Sequence, residues 1–371
     1  MVRVSHAAVA LALPLLGGAS LAAQDSLHQE PRRPAPAGYH ALNIGVSGVG
    51  LSIGNSRRWT GLRINFQDNQ VERVNGIGIT IWSAKHNEGM EFNGLALGLA
   101  GPVGGRFTGV TLGALGAVAD RDFRGLTVAG LGVVSNGDMS GVNLSGLGTV
   151  ADRSMRGVNV AGLGLVADGG MDGINVSGLG TVANGRMRGL NVGGLAVVGD
   201  GGLYGISAGG LAVVTNGSLR GISAGGLAVV ANGSMWGISA GGLAVVSNGP
   251  MRGVSAAGLA VVSDGDMTGL AVAGLAVVAG HGLRGVAIGG VHVEGSWIEG
   301  LAVSPIRTRT WDLSGVSIAG YNRIKGDQFG LTIGVYNYAK RLHGVQLGLI
   351  NNARNNRGLL RVLPLVNVHL D

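Results

Sequence analysis

The chain has 371 residues, no cysteine, 73 glycines and a formal net charge of +7, with an isoelectric point near 10.3. Glycine at about one residue in five, without the every-third spacing of collagen and alongside 46% hydrophobic residues, excludes both a collagen helix and a disordered chain. Without cysteine there is no disulfide, thiolate metal site or lipidated N-terminal cysteine, and the arginine-rich basic excess lacks the dense runs and aromatic–basic modules of nucleic-acid-binding proteins.

Residues 1–22 read as a secretory signal peptide. Arg3 supplies a basic n-region, the stretch from Ala7 to Leu16 an apolar h-region, and Ser20-Leu21-Ala22 a small-x-small cleavage site before Ala23. The apolar run is too short to be a spanning helix, so the expected outcome is export across a bacterial-type inner membrane. Residues 23–38, which include QDSLHQEPRRPAPAG, form a Pro-rich linker. Residues 39–108 read as an N-terminal β cap with irregular repeats, where the run VNGIGITIW at 74–82 is a clear strand signal. The bulky Trp59, Phe66, Trp82 and Phe92 concentrate there, as suits the closed end of a repeat stack.

Residues 109–284 are eleven sixteen-residue repeats without insertion or deletion. With the leading glycine as position 1, position 2 is Val, Ile or Leu, position 4 is usually apolar, position 7 is always Leu and position 10 always Val. Asn-Gly or Asp-Gly commonly occupies positions 12 and 13, and position 15 is Met or Leu except at Phe123. Positions 2 and 4 alternate as a strand does, but the step to 7 breaks the period of two, so the chain must bend at positions 5 and 6. The Asn-Gly pair makes a second corner and the leading glycine a third.

Two architectures use such a unit. In a glycine-rich β-solenoid each unit is one coil paired in parallel with the next, and the apolar positions are expected to point inward. In an antiparallel meander or β-barrel each unit is one strand and Asn-Gly is a hairpin turn. A two-residue turn there would put equivalent residues of successive strands on opposite faces, which weakens the meander. Side-chain runs favour the solenoid: position 3 is asparagine at Asn143, Asn159, Asn175 and Asn191, then serine at Ser207, Ser223, Ser239 and Ser255. Stacked in register, asparagine amides can hydrogen-bond along the axis.

A second period sits at position 16. Arg124, Arg156, Arg188, Arg220, Arg252 and Arg284 end every other unit, and Ser140, Asp172, Tyr204, Trp236 and Thr268 end the units between. Spacing arginines two coils apart roughly halves their repulsion, and the row is the one repeated charged array in the chain.

Residues 285–357 carry shorter repeats of 14–15 residues, such as GLTIGVYNYAKRLH and GVQLGLINNARNNR. These units resemble the bacterial exported surface-repeat proteins built on glycine-rich G-x-Q/N-x-(A)G-L-x-N/V units, most closely over 330–358 and more loosely over 94–329. The resemblance implies an exported, surface-associated protein of a Gram-negative bacterium and carries over no catalytic residues. Residues 358–371 read as a C-terminal capping strand.

Candidate chemistry is sparse. His292 and Glu294 share a strand face but lack a third metal ligand, and Asp120, Asp152, Asp168, Asp200 and Asp264 read as corner residues without a calcium-roll signature. No phosphate-binding loop, nucleophile elbow or zinc-protease helix occurs, so no catalytic residue and no cofactor is expected. The expected function is that of a non-enzymatic structural or interaction protein of the bacterial envelope or surface. Its arginine row would contact anionic lipid headgroups or surface polysaccharide, with peripheral membrane association and no nucleic-acid partner. The alternative is an outer-membrane β-barrel, disfavoured by aromatic residues at only 4%.

Overall fold

The computed structural model describes residues 40–370; the expected signal peptide and linker at 1–22 and 23–38 lie outside the described residues. From Val49 onward the chain climbs as a β-solenoid, each coil hydrogen-bonded in parallel to the next, and both ends are closed by antiparallel strands.

Within the sixteen-residue repeats a coil contains a seven-residue strand, such as Met155–Ala161, and a four-residue strand, such as Gly164–Ala167. The leading glycine bends the longer strand. Position 1 has a positive φ in every unit, +119° at Gly221, and a Cβ there would stand 2.1 Å from the Gly205 carbonyl oxygen one coil below. Only glycine permits that backbone and that approach together. The register keeps these glycines aligned even where coil length changes, pairing Gly61 with Gly76, Gly76 with Gly94 and Gly285 with Gly300. The corner at positions 6 and 7 is bonded as well: the Leu163 amide donates to the Leu147 carbonyl at 2.7 Å and Leu179 to Leu163 at 2.8 Å. In the shorter repeats extended backbone continues through the turns of the coil, while Gly300, Gly315, Gly330 and Gly344 still stand over the preceding coil's glycine.

Parallel, in-register pairing with a sixteen-residue step, as in Asn159 with Asn175 and Ser207 with Ser223, replaces the antiparallel meander or barrel that was the alternative. A hairpin at Asn-Gly would have reversed the chain there; the corner instead carries it on to the next coil. Antiparallel strands occur only as caps among the described residues. Ala41–Val46 folds back on Val49–Gly54 at one end, and Val362–His369 lies against the last coil at the other, with Val345 opposite Val368. Such caps occupy the open edges of the stack.

The interior is only in part the one expected from the apolar pattern: position 15 faces in, but positions 2, 4, 7 and 10 do not. Positions 3, 5, 9, 11 and 15 point inward. Position 15 stacks Phe92, Phe107 and Phe123, with ring centroids 5.9 and 5.3 Å apart, and continues as a buried column through Met139, Met155 and Met171. Position 9 contributes buried Leu165 and Val213. Positions 2, 4, 7 and 10 lie on the outside instead, the leucines at 7 between 41% (Leu147) and 55% (Leu115) exposed. The reason is geometric. Alternation runs through the two strands and makes 2, 4 and 10 outward, while 7, which alternation would turn inward, falls on a corner whose convex side points its side chain out.

Asparagine at position 3 shares the interior with the apolar residues of positions 9 and 15. Asn143 donates from Nδ2 to Asn159 Oδ1 at 2.8 Å, Asn159 to Asn175 at 2.8 Å and Asn175 to Asn191 at 2.9 Å. Each amide satisfies the next, so the ladder tolerates burial except at its ends, where Asn143 Oδ1 and Asn191 Nδ2 have no hydrogen-bond partner. A second ladder runs from Asn322 to Asn337 at 2.8 Å and on to Asn351 at 2.7 Å. Replacing Asn175 by alanine strands a buried donor on Asn159 and a buried acceptor on Asn191. The expected loss is about 2–4 kcal/mol in urea unfolding; a change below about 0.5 kcal/mol would mean the ladder carries no stability.

Candidate anion-contact face

The six arginines expected to act together do share one row. Register pairing places position 16 residues in the vertical order Arg124, Ser140, Arg156, Asp172, Arg188, Tyr204, Arg220, Trp236, Arg252, Thr268, Arg284 and Glu299. All six guanidinium side chains are exposed. They do not form a uniform line of charge, because neighbours in the row differ.

The two ends are ion-paired. Arg124 Nη2 lies 3.3 Å from Asp122 Oδ2, which Arg106 also meets at 3.0 Å. Burial alone would push the Asp122 carboxyl up, but the Asp138 amide and the Arg106 and Arg124 guanidiniums outweigh it and hold the pKa below the usual carboxylate value. This stabilisation is present at neutral pH and is lost as pH falls through the depressed folded-state pKa. At the far end Arg284 Nε meets Glu299 Oε2 at 2.8 Å and its guanidinium lies 5.5 Å from the Trp297 ring centroid.

The middle of the row is an arginine–aromatic ladder. Arg220 stands between two rings, 5.8 Å from the Tyr204 centroid and 5.2 Å from that of Trp236, and Arg252 lies 4.8 Å from the other side of Trp236. Arg186, at position 14, approaches Tyr204 at 5.3 Å. Rings between guanidiniums offset their mutual repulsion and hold the long side chains in place, at about 0.5–1 kcal/mol per exposed contact. The guanidinium edges stay available for a planar anionic group. Spacing alone identified the arginines. The ring contacts of Tyr204 and Trp236 with those arginines were missed because both residues read as gaps between charges, although their shared position 16 was the signal.

Around the leading-glycine corner from this row lies an apolar face. Its edges are the exposed residues at position 2, among them Ile206, Ile222 and Ile238, and the leucines at position 7. Between them, where position 4 is Ala208, Ala224, Ala240 and Ala256, runs an open trough of about 820 Å³ floored by alanine and glycine. A similar trough of about 600 Å³ lies between residues 303 and 365.

The other candidates stay local. His292 Nε2 meets Glu294 Oε2 at 2.8 Å and Arg309 takes the second oxygen at 3.5 Å; among the described residues no three potential metal ligands gather. The corner carboxylates extend an exposed ladder instead: Asn184 donates to Asp168 at 3.1 Å, and Asn216 donates to Asp200 at 2.8 Å while accepting from Asn232 at 2.7 Å.

No family model matches this chain, and no curated protein or solved structure is similar to it.

The ladder's central contact is measurable. A double-mutant cycle on Arg220→Ala and Trp236→Ala, followed by urea unfolding, is expected to give a coupling of about 0.5–1 kcal/mol. Strict additivity would mean the ring does not hold the guanidinium.

Proposed function

We propose that this is an exported, non-catalytic structural and interaction protein of the bacterial cell envelope or surface, which presents one side of a rigid solenoid to an anionic partner. The observation that carries this reading is the arginine–aromatic ladder of Tyr204, Arg220, Trp236 and Arg252, with Arg188 the register neighbour of Tyr204, in which backbone register fixes the spacing of exposed guanidiniums. Arginine binds carboxylate and phosphate through paired N–H groups, so the shared chemistry of the partner is a phosphate or carboxylate array, on lipid headgroups or on surface polysaccharide.

Two sequence features support export: the signal-like residues 1–22 and the resemblance of the shorter repeats to exported surface-repeat proteins. Support for a non-enzymatic role comes from the repetition itself. It multiplies one surface rather than gathering different titratable groups in one cavity.

The reading is tested by binding to immobilised uronate polysaccharide and, separately, to vesicles containing phosphatidylglycerol. Changing Arg188, Arg220 and Arg252 together to serine is expected to weaken binding to at least one of them by about two orders of magnitude at ~0.1 M salt, taking about 1 kcal/mol per arginine near an anionic surface. The unaltered chain should lose affinity as salt rises. Binding that ignores both the substitutions and salt would remove the row from the function.

A further inference from the structure

We infer that the apolar face bounded by positions 2 and 7 docks on an anionic lipid leaflet, so that the solenoid lies along the membrane with its leucine and isoleucine ridges in the acyl boundary. The inference rests on the arginine-row reading and names its partner.

The first argument is extent. The largest apolar patch on an ordinary soluble monomer is about 300–600 Å². Here leucine is exposed at position 7 in all eleven sixteen-residue units, each between 41% and 55%, while Ile206, Ile222 and Ile238 at 47–48% form the parallel ridge. Eleven coils at about 4.8 Å make this face on the order of 50 Å long. Asparagine, serine and threonine meanwhile fill buried sites within the same coils. Bulky aliphatics left outside although the same coils bury serine, threonine and asparagine beside their apolar core fit a surface meeting an apolar medium along part of its girth.

The second argument is the chemistry of the edge. Tyr204 and Trp236 alternate with Arg188, Arg220 and Arg252 in the row one corner away from the isoleucine ridge. Tyrosine and tryptophan favour the interface where one side is apolar and the other wet, and arginine lays its stem along apolar surface while its head reaches phosphate. Amphipathic elements that lie in the membrane plane have this arrangement of an apolar face beside a basic border.

Charge decides between a leaflet and a second copy of the chain. The whole sequence carries +7, and +6 remains without residues 1–22, whose one charge is Arg3, so two chains repel at long range, whereas an anionic leaflet attracts each of them. No helix among the described residues is long and apolar enough to cross a membrane.

The absence of cysteine allows a site-specific test in the full chain. Single variants Leu227→Cys, Ile222→Cys and Asn232→Cys are labelled with an environment-sensitive dye and mixed with phosphatidylglycerol-containing or pure phosphatidylcholine vesicles. Anionic vesicles are expected to shift the dye at 227 and 222 to the blue with a several-fold rise in emission, and to leave the dye at 232, on the polar corner, unchanged. Because all three chains are otherwise identical, binding by any other segment affects them alike. A several-fold weaker response after Arg188, Arg220 and Arg252 are changed to serine would tie the face to its border.

An unmoved dye at 227 and 222 on vesicles that nonetheless retain the chain would overturn the docking face and leave the arginine row standing. No binding to either vesicles or polysaccharide would remove the row as well. A blue shift without lipid, accompanied by a doubled mass in light scattering, would assign the face to a second copy and overturn the lipid proposal.

Discussion

Each coil of this protein rests on a glycine whose α-carbon is pressed toward the carbonyl of the coil before it. The ladder holds from Gly61 over Gly50 to Gly344 over Gly330, through coils whose lengths differ. That close approach fixes register, and register fixes everything built on the repeat: the buried asparagine ladder, the aliphatic ridges and the alternation of arginine with aromatic rings. In a parallel stack a side chain meets its own equivalent about 4.8 Å away, so a choice made once is repeated along the axis with its energetic sign unchanged. Amides gain from this repetition because each is donor and acceptor. Arginines do not, and the chain separates them with rings, hydroxyls or carboxylates.

The same logic explains how buried amides sit beside an apolar core while leucines stand outside it. An interior of Met, Val, Ala, Ser and Asn is narrow and closely packed, with the amides hydrogen-bonded to one another. Leucine at position 7 has no room inside because it sits on the convex side of a corner. Along the sixteen-residue repeats the outcome is a stack with one apolar side, one arginine-lined side and a corner of Asn, Asp and Gly. Any partner large enough to span several coils meets a linear pattern, which is the physical basis for reading the molecule as a binding surface.

Much of this was legible in the amino acids. The broken alternation between positions 4 and 7 marks a real corner, the Asn-Gly pair a second and the leading glycine a third. The run of Asn143, Asn159, Asn175 and Asn191 declared the parallel stack that carries it. What the pattern did not disclose was which side of the backbone faces in. Counting apolar residues put Leu163 inside and Asn159 in a ladder of unspecified burial, because hydrophobicity alone treats a corner residue as part of a strand. The aromatic members of the arginine row were likewise hidden: Tyr204 and Trp236 acquire meaning only when a neighbour sixteen residues away in sequence stands next to them in space. The expected signal and linker fall outside the described residues.

Which positions of the repeat face inward is the claim on which the face, the row and their relation depend, and two leucines two residues apart test it. Leu163 is 44% exposed and Leu165 fully buried. In this cysteine-free chain, Leu163→Cys should react with a maleimide at nearly the rate of a free thiol, while Leu165→Cys should react only as the protein unfolds. Rapid labelling at 165 with protection at 163 would reverse the faces and contradict the account.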